Sequence, residues 1–242
     1  MSSISRIKFL ITCEHAGREI PACIKNLVSI PSDILNSHRG FDPGALALAE
    51  TLSKKADAFY YDTCSRLVIE LNRSIGHADL FSKYSESLDF EIKNQLIDEI
   101  YLPYREKVEN KIAQWIAKNY QVIHLSVHSF TPVLNGVVRE TDIGLLYDPE
   151  RFREKNTAAL FKQVLAHICP WRVRFNYPYL GKSDGLTTYL RKLFPEKYYL
   201  GLELETNQAL WSAETGAVKQ SQANLYKGFN KLRLALIKKI KK

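Results

Sequence analysis

Three apolar runs in this chain end on residues that can do chemistry. Ile7–Cys13 (IKFLITC) leads into Glu14-His15-Ala16-Gly17, Gln121–Val127 (QVIHLSV) leads into His128-Ser129, and the run from Tyr198 ends on Glu203 and Glu205. A further histidine and acid, in His38-Arg39-Gly40-Phe41-Asp42, stand just before an apolar face that begins near Pro43. Two imidazoles and one carboxylate from separate elements are the donors of a catalytic zinc, which keeps a fourth position open for water. A second carboxylate outside that set could take a proton from the water. Spacing leaves open whether His38 or Asp42 is the third ligand, and whether Glu203 or Glu205 is the base. There is no H-E-x-x-H run. His77, His124 and His167 are read as ordinary hydrogen-bonded residues of the core or surface.

A second cluster is cationic. In SRLVIELNRS, Ser65-Arg66 and Asn72-Arg73 bracket a short apolar stretch, and a guanidinium grips a carboxylate with two parallel hydrogen bonds where lysine cannot. Asn176–Arg191 (NYPYLGKSDGLTTYLR) is rich in turn formers and reads as an exposed loop entering a helix, with Gly181 and Gly185 free to turn. Such loops often carry function, so Asn176 and Asp184, together with Ser129, are expected at the substrate. Neither G-x-x-x-x-G-K-[ST] nor G-x-G-x-x-G occurs, which leaves nucleotide binding without support.

The elements that must position these residues alternate. Strands are expected at Ile7–Cys13, Ala58–Tyr61, Leu67–Leu71, Gln121–Val127, Asp142–Tyr147, Arg172–Phe175 and Tyr198–Glu205. Helices are expected at Pro43–Lys55, Asp89–Tyr101, Pro103–Asn119, Pro149–Leu165, Ser183–Phe194 and Gly216–Lys239. This order predicts an α/β fold: a single three-layer domain over 1–242, with a mostly parallel or mixed central sheet and helices on both faces. In such sheets ligands gather at the carboxyl ends of strands, where His15, His128 and the late acids fall.

Composition narrows the class. Hydrophobic residues are 45% and charged residues 25% of 242, ordinary for a globular protein. No apolar run approaches the roughly 20 residues of a membrane span, and Met1–Lys8 do not read as a signal peptide. The four cysteines (Cys13, Cys23, Cys64, Cys169) are scattered, so a reduced, cytoplasmic setting is expected. The formal charge of +8 is concentrated partly in a basic C-terminal helix and tail (about 216–242) and shows no aromatic-interleaved stripe, so nucleic acid is not expected as a partner.

Taken together and in order, CEHAG with Ile20-Pro21, HRGFDPGA, SRLVIELNR, HSFTP, DIGLLYD, NYPYLGKSDG and LELETN resemble the N-formylglutamate amidohydrolase family from about Ile7 to Asn207. Two departures stand out: Cys13-Glu14-His15 where many members have Ser-Pro-His, and His38-Arg39-Gly40 where several have His-Thr-Asp, the acid coming only at Asp42. The layout is also similar to that of zinc N-acetylmuramoyl-L-alanine amidases and zinc carboxypeptidases.

The resemblance implies a zinc-dependent hydrolase, with one ion and other divalent metals possible, acting on a small-molecule N-acyl amino acid. N-formyl-L-glutamate would give formate and glutamate. It puts the metal on His15, Asp42 and His128, and makes Glu205 the general base. Arg66 or Arg73 would hold the substrate carboxylate, the other steadying the oxyanion. His38, Asn72, Ser129, Asn176, Asp184 and Glu203 would line the substrate pocket. The alternatives are a peptidoglycan amidase and a non-catalytic module binding through its basic surface.

Overall fold

Eight strands and seven helices arise from these patterns in a computed structural model, which describes residues 6–212 and 214–240. In chain order they are β1 (Arg6–Cys13), α1 (Ser32–Leu35), α2 (Ala45–Ser53), β2 (Ala58–Tyr61), α3 (Phe90–Leu96), α4 (Leu102–Ala117), β3 (Tyr120–Phe130), β4 (Val133–Leu134), β5 (Val137–Val138), β6 (Ile143–Leu146), α5 (Phe152–Ala166), β7 (Val173–Phe175), α6 (Leu186–Leu193), β8 (Tyr199–Asn207) and α7 (Thr215–Ile240). Six strands form one sheet in the order β2-β1-β3-β8-β6-β7. β2, β1, β3 and β8 run parallel, β6 runs antiparallel to β8, and β7 runs parallel to β6. The sheet is therefore mixed and mostly parallel, as expected.

Strand alternation divides the core. Phe9, Ile11 and Cys13 of β1 face α2, α5 and α7, while Leu10 packs on the opposite side with α4 and α6. Each covering helix presents apolar residues at three- and four-residue spacing: Ala45, Leu48, Ala49 and Leu52 in α2, and Tyr104, Val108 and Ile112 in α4. Leu225, Phe229, Leu232 and Leu236 bury one stripe of α7. The basic C-terminal segment thus begins as a packed helix; Lys241 and Lys242 lie outside the described residues. No described helix is long and apolar enough to cross a membrane.

Four expectations need correction. Leu67–Leu71 is not a strand. Val68 and Ile69 both donate their N–H to the carbonyl of Ser65, and Leu67 N donates to its hydroxyl, so the apolar run coils into a turn with its backbone satisfied locally. The helices expected on either side of Pro103 are one continuous run joined by a π-helical turn, Ile97–Tyr101. There the Leu102 N–H bonds Ile97 five residues back, just before a proline that has no N–H to give. β3 runs three residues past Val127 because its pairing with β8 continues to Phe130↔Asn207. Finally, β4 and β5 form an unanticipated hairpin turned by Asn135 (φ 50°) and Gly136 (φ 77°), the Asn-Gly pair that two-residue hairpins favour.

Candidate active site

The carboxyl ends of β1, β3 and β8 lie side by side and deliver three of the expected groups to one place. His15 follows β1, His128 stands on β3, and Glu205 is the register partner of His128 on β8. Asp42 reaches them from the turn before α2. Its N–H donates to the His15 carbonyl (3.0 Å), which ties that turn to the loop after β1. Gly44, the next but one, has φ +83° with the Trp211 indole packed on it, so that a Cβ there would lie 2.3 Å from Trp211 Cγ. The tight turn positions Asp42 only because residue 44 lacks a side chain.

Asp42 Oδ2 is 3.3 Å from His15 Nδ1 and 3.0 Å from His128 Nδ1. The three donor groups are buried, and their ligand atoms lie within 4.8 Å of one another. Each ring turns its other nitrogen to a buried carboxylate. His15 Nε2 bonds Glu70, and His128 Nε2 meets Glu14 Oε2 at 3.1 Å and the Ser126 hydroxyl at 2.8 Å. Carboxylates behind the imidazoles fix ring orientation and raise ligand basicity, as around metal-ligating histidines generally. This donor set, two imidazole nitrogens and one carboxylate oxygen, fits a divalent cation and suits zinc. His38 also lines the cleft but stands outside the set.

The electrostatics follow from this crowding. Burial alone would raise the Asp42 carboxyl, but His15, His128 and Arg66 hold it far below its usual range. Glu70 is likewise depressed against burial, chiefly by Arg66 and then His15. Glu14 is held low by His128 and Ser126. Glu205 behaves in the opposite way. Its burial, reinforced by Asp42 and Glu203 and opposed by His128, pushes its carboxyl up to about 7. Its Oε2 is buried and has no hydrogen-bond partner among the described residues, the state of a group able to exchange a proton near neutrality.

The two arginines differ in their partners. Arg66 donates Nε to Glu70 Oε2 (2.8 Å) and Nη1 to Asp42 Oδ1 (3.3 Å), so its charge is spent on site carboxylates. Among the described residues the Arg73 side chain donates only to backbone carbonyls, of Asp184 (2.5 Å) and Asn72. Asn72 Oδ1 accepts from Leu186 N at the start of α6, and its Nδ2 makes no hydrogen bond among the described residues.

His15, His38, Asp42, Arg66, Asn72, Arg73, His128, Ser129, Asp184, Glu203 and Glu205 line one cleft of about 220 Å³. That is smaller than the roughly 300–1,000 Å³ of drug-sized sites and suits a ligand of amino-acid size. Several of these residues also hold the walls. Ser129 Oγ donates to Pro43 O, the Asp184 carboxylate accepts from Ser74 N and Oγ, and Glu203 accepts from Thr187. Asn176 does not line the cleft. Its Oδ1 accepts from Tyr147 N and Gly181 N and shapes the loop from within. His124, His77 and His167 each have a local partner: His124 bonds Thr12 and Tyr199, His77 accepts from Asp79 N, and His167 bonds Gln163 O.

Sequence reasoning missed Glu14 and Glu70. An acid inside the apolar stretch of SRLVIELNR was the available signal for Glu70, since a buried carboxylate needs partners. It also missed Leu134, Tyr179, Leu180 and Gln208, which line the cleft together with Phe130, Thr131 and Ser183.

No curated protein matches the chain. Among solved structures, the gene product Atu2144 of Agrobacterium tumefaciens shares 30% identity over 95% of this chain and 91% of its own, with a TM-score of 0.79. An N-formylglutamate amidohydrolase from Ralstonia eutropha JMP134 has a TM-score of 0.75 over 96% of both chains at 16% identity, a likeness that bears on the fold alone. The family model for N-formylglutamate amidohydrolase matches residues 7–212, which hold the whole sheet but Arg6 and every residue of the cleft. This chain belongs to the N-formylglutamate amidohydrolase family.

Proposed function

We propose that the protein is a zinc-dependent amidohydrolase that cleaves the amide of a small N-acyl amino acid, converting N-formyl-L-glutamate to formate and L-glutamate. The observation that carries this reading is the buried His15–Asp42–His128 set sharing a cleft with Glu205, whose Oε2 is unpartnered among the described residues. The match of residues 7–212 to the N-formylglutamate amidohydrolase family supports the choice of substrate. A zinc ion held by His15, Asp42 and His128 would supply Lewis acidity to the acyl carbonyl and acidify the attacking water.

The chain's own groups do the rest. Glu205 Oε2 takes a proton as water oxygen bonds to the acyl carbon, and returns it to the amide nitrogen as the C–N bond breaks. Arg73 and the Asn72 Nδ2 amide hold the substrate carboxylate. Arg66, already paired with Glu70 and Asp42, is a positioning residue that keeps both carboxylates ionised and aimed. Glu14 and Glu70 fix the two imidazoles from behind. Four free thiols suit a reducing compartment, and this reading puts the enzyme in the cytoplasm.

The test is formate release from N-formyl-L-glutamate by the wild type and by Glu205→Gln. Release by the wild type, with turnover reduced roughly 10²–10⁴-fold in the variant, supports the reading. Equal turnover would remove Glu205 from the mechanism, and no release by either would remove the substrate.

A further inference from the structure

Arg139 stands at the foot of the β4–β5 hairpin with its backbone clamped from both sides. Its N–H donates to Pro132 O (2.7 Å), and its carbonyl accepts from Asn207 Nδ2 (2.9 Å). The side chain is placed against two residues of the cleft wall, with its guanidinium carbon 5.9 Å from the Phe130 ring centre and 5.5 Å from that of Tyr179. It makes no hydrogen bond and no ion pair among the described residues, and its Nη1 is buried without a partner.

That state is costly. A guanidinium carries five N–H donors and cannot shed its charge, and a buried donor without an acceptor loses the hydrogen bond that water would give. Two aromatic faces offset part of this by cation–π attraction, but they give no acceptor to the N–H donors in the guanidinium plane. What the site lacks is an anionic acceptor. The two arginines that line the cleft do not share this lack, since Arg66 has two carboxylates and Arg73 has two carbonyls; Arg139 itself is outside the lining, against its residues Phe130 and Tyr179. His38, which lines the cleft, has its pKa lowered by burial and by the charges of Arg39, Arg139 and Arg66, against the pull of Asp42.

We propose that Arg139 is a specificity residue that receives a second, side-chain carboxylate of the substrate, so that the enzyme selects N-acyl dicarboxylic amino acids over neutral ones. The proposal rests on the amidohydrolase reading above. In it, the α-carboxylate goes to Arg73 and Asn72, and the side-chain carboxylate supplies the acceptor that Arg139 lacks. Bidentate pairing of that kind discriminates strongly, because the analogue without the charge leaves the guanidinium unpaired.

The experiment compares kcat/KM for N-formyl-L-glutamate with that for its neutral isostere N-formyl-L-glutamine, in the wild type, Arg139→Gln, Arg139→Lys and Arg233→Gln. Arg233 is a useful control because its Nε is also buried and unpartnered, but it packs on Phe9 in the α7 face of the core. The expected result is a wild-type preference for glutamate of at least about tenfold, carried by KM. Arg139→Gln should lose most of that preference, Arg139→Lys should keep part of it, and Arg233→Gln should retain it. Should Arg139→Gln fail to fold, the lysine variant decides, since a preference left intact in it would overturn the bidentate assignment. A wild type that hydrolyses both substrates alike, or an Arg139→Gln protein that keeps the preference, overturns the proposal and leaves the amidohydrolase reading standing. A wild type that hydrolyses neither overturns both.

Discussion

Glu14 and His128 meet side chain to side chain in the core, with Glu14 Oε2 3.1 Å from His128 Nε2 while the other nitrogen of the ring faces Asp42. Glu14 is itself held by the Tyr104 hydroxyl (2.8 Å) and the Ser126 hydroxyl (2.5 Å). A residue from α4 therefore reaches the candidate metal ligands through one buried carboxylate. Glu14→Gln keeps the shape and removes the charge. It should weaken zinc binding roughly 10–100-fold, read by competition with a coloured chelator, while the far-ultraviolet dichroism stays that of the wild type. Unchanged affinity would show that Glu14 only fills space.

Arg73 is the cleft arginine whose side chain, among the described residues, bonds only carbonyl oxygens. Replacing it with lysine keeps a positive charge but loses the planar fork. Arg73→Lys should raise KM for N-formyl-L-glutamate about tenfold or more with a smaller change in kcat, the pattern of lost ground-state binding. A fall in kcat alone would place Arg73 at the reacting bond instead.

His124 offers a test of the core by pH. Its ring is buried between Thr12 Oγ1 (2.8 Å) and Tyr199 Oη (2.7 Å), and burial first, then the charge of Arg191, lowers its pKa to about 4 from the ordinary 6.5, against the pull of Glu14. Below pH 6.5 the unfolded chain takes up a proton that the folded chain refuses. The stability tied to this ring is thus present above pH 6.5 and lost as pH falls towards 4, by roughly 3 kcal/mol in all. Denaturant unfolding at pH 7, 6 and 5 should show a shallower decline for His124→Gln than for the wild type. Parallel declines would contradict the neutral, buried histidine.

Gly44 precedes α2 in a left-handed conformation with Trp211 against it. Gly44→Ala adds a backbone penalty of about 1–2 kcal/mol to a clash with the indole, and it disturbs the turn that carries Asp42. The variant should melt several degrees lower and bind zinc more weakly. Trp211→Ala in the same chain should relieve the clash and recover only part of the loss, because the φ penalty remains.

Much of this site could be read from the sequence because open α/β sheets bring strand ends together. His15, His128 and Glu205 each close an apolar run, and parallel pairing of β1, β3 and β8 makes them neighbours without any spacing rule between them. The limits were equally physical. Leu67–Leu71 was as apolar as a strand, and only the hydrogen bonds to Ser65 show that it coils. Glu14 and Glu70 are ordinary acids on paper, and their role exists only where burial sets them behind imidazoles. The partners of Arg66 and Arg73 distinguish two arginines that look equivalent in the string, and the unpartnered guanidinium of Arg139 is a tertiary fact. The Asn135-Gly136 hairpin is legible from its dipeptide, because both positions take a positive φ.

The most direct measurement strips the protein of metal with a chelator, then follows formate release from N-formyl-L-glutamate as zinc is returned, for the wild type and for His128→Ala. The account predicts no release from the stripped wild type, full recovery at one zinc per chain, and neither tight zinc binding nor recovery in the variant. Full activity in the stripped protein, or in His128→Ala, would contradict it.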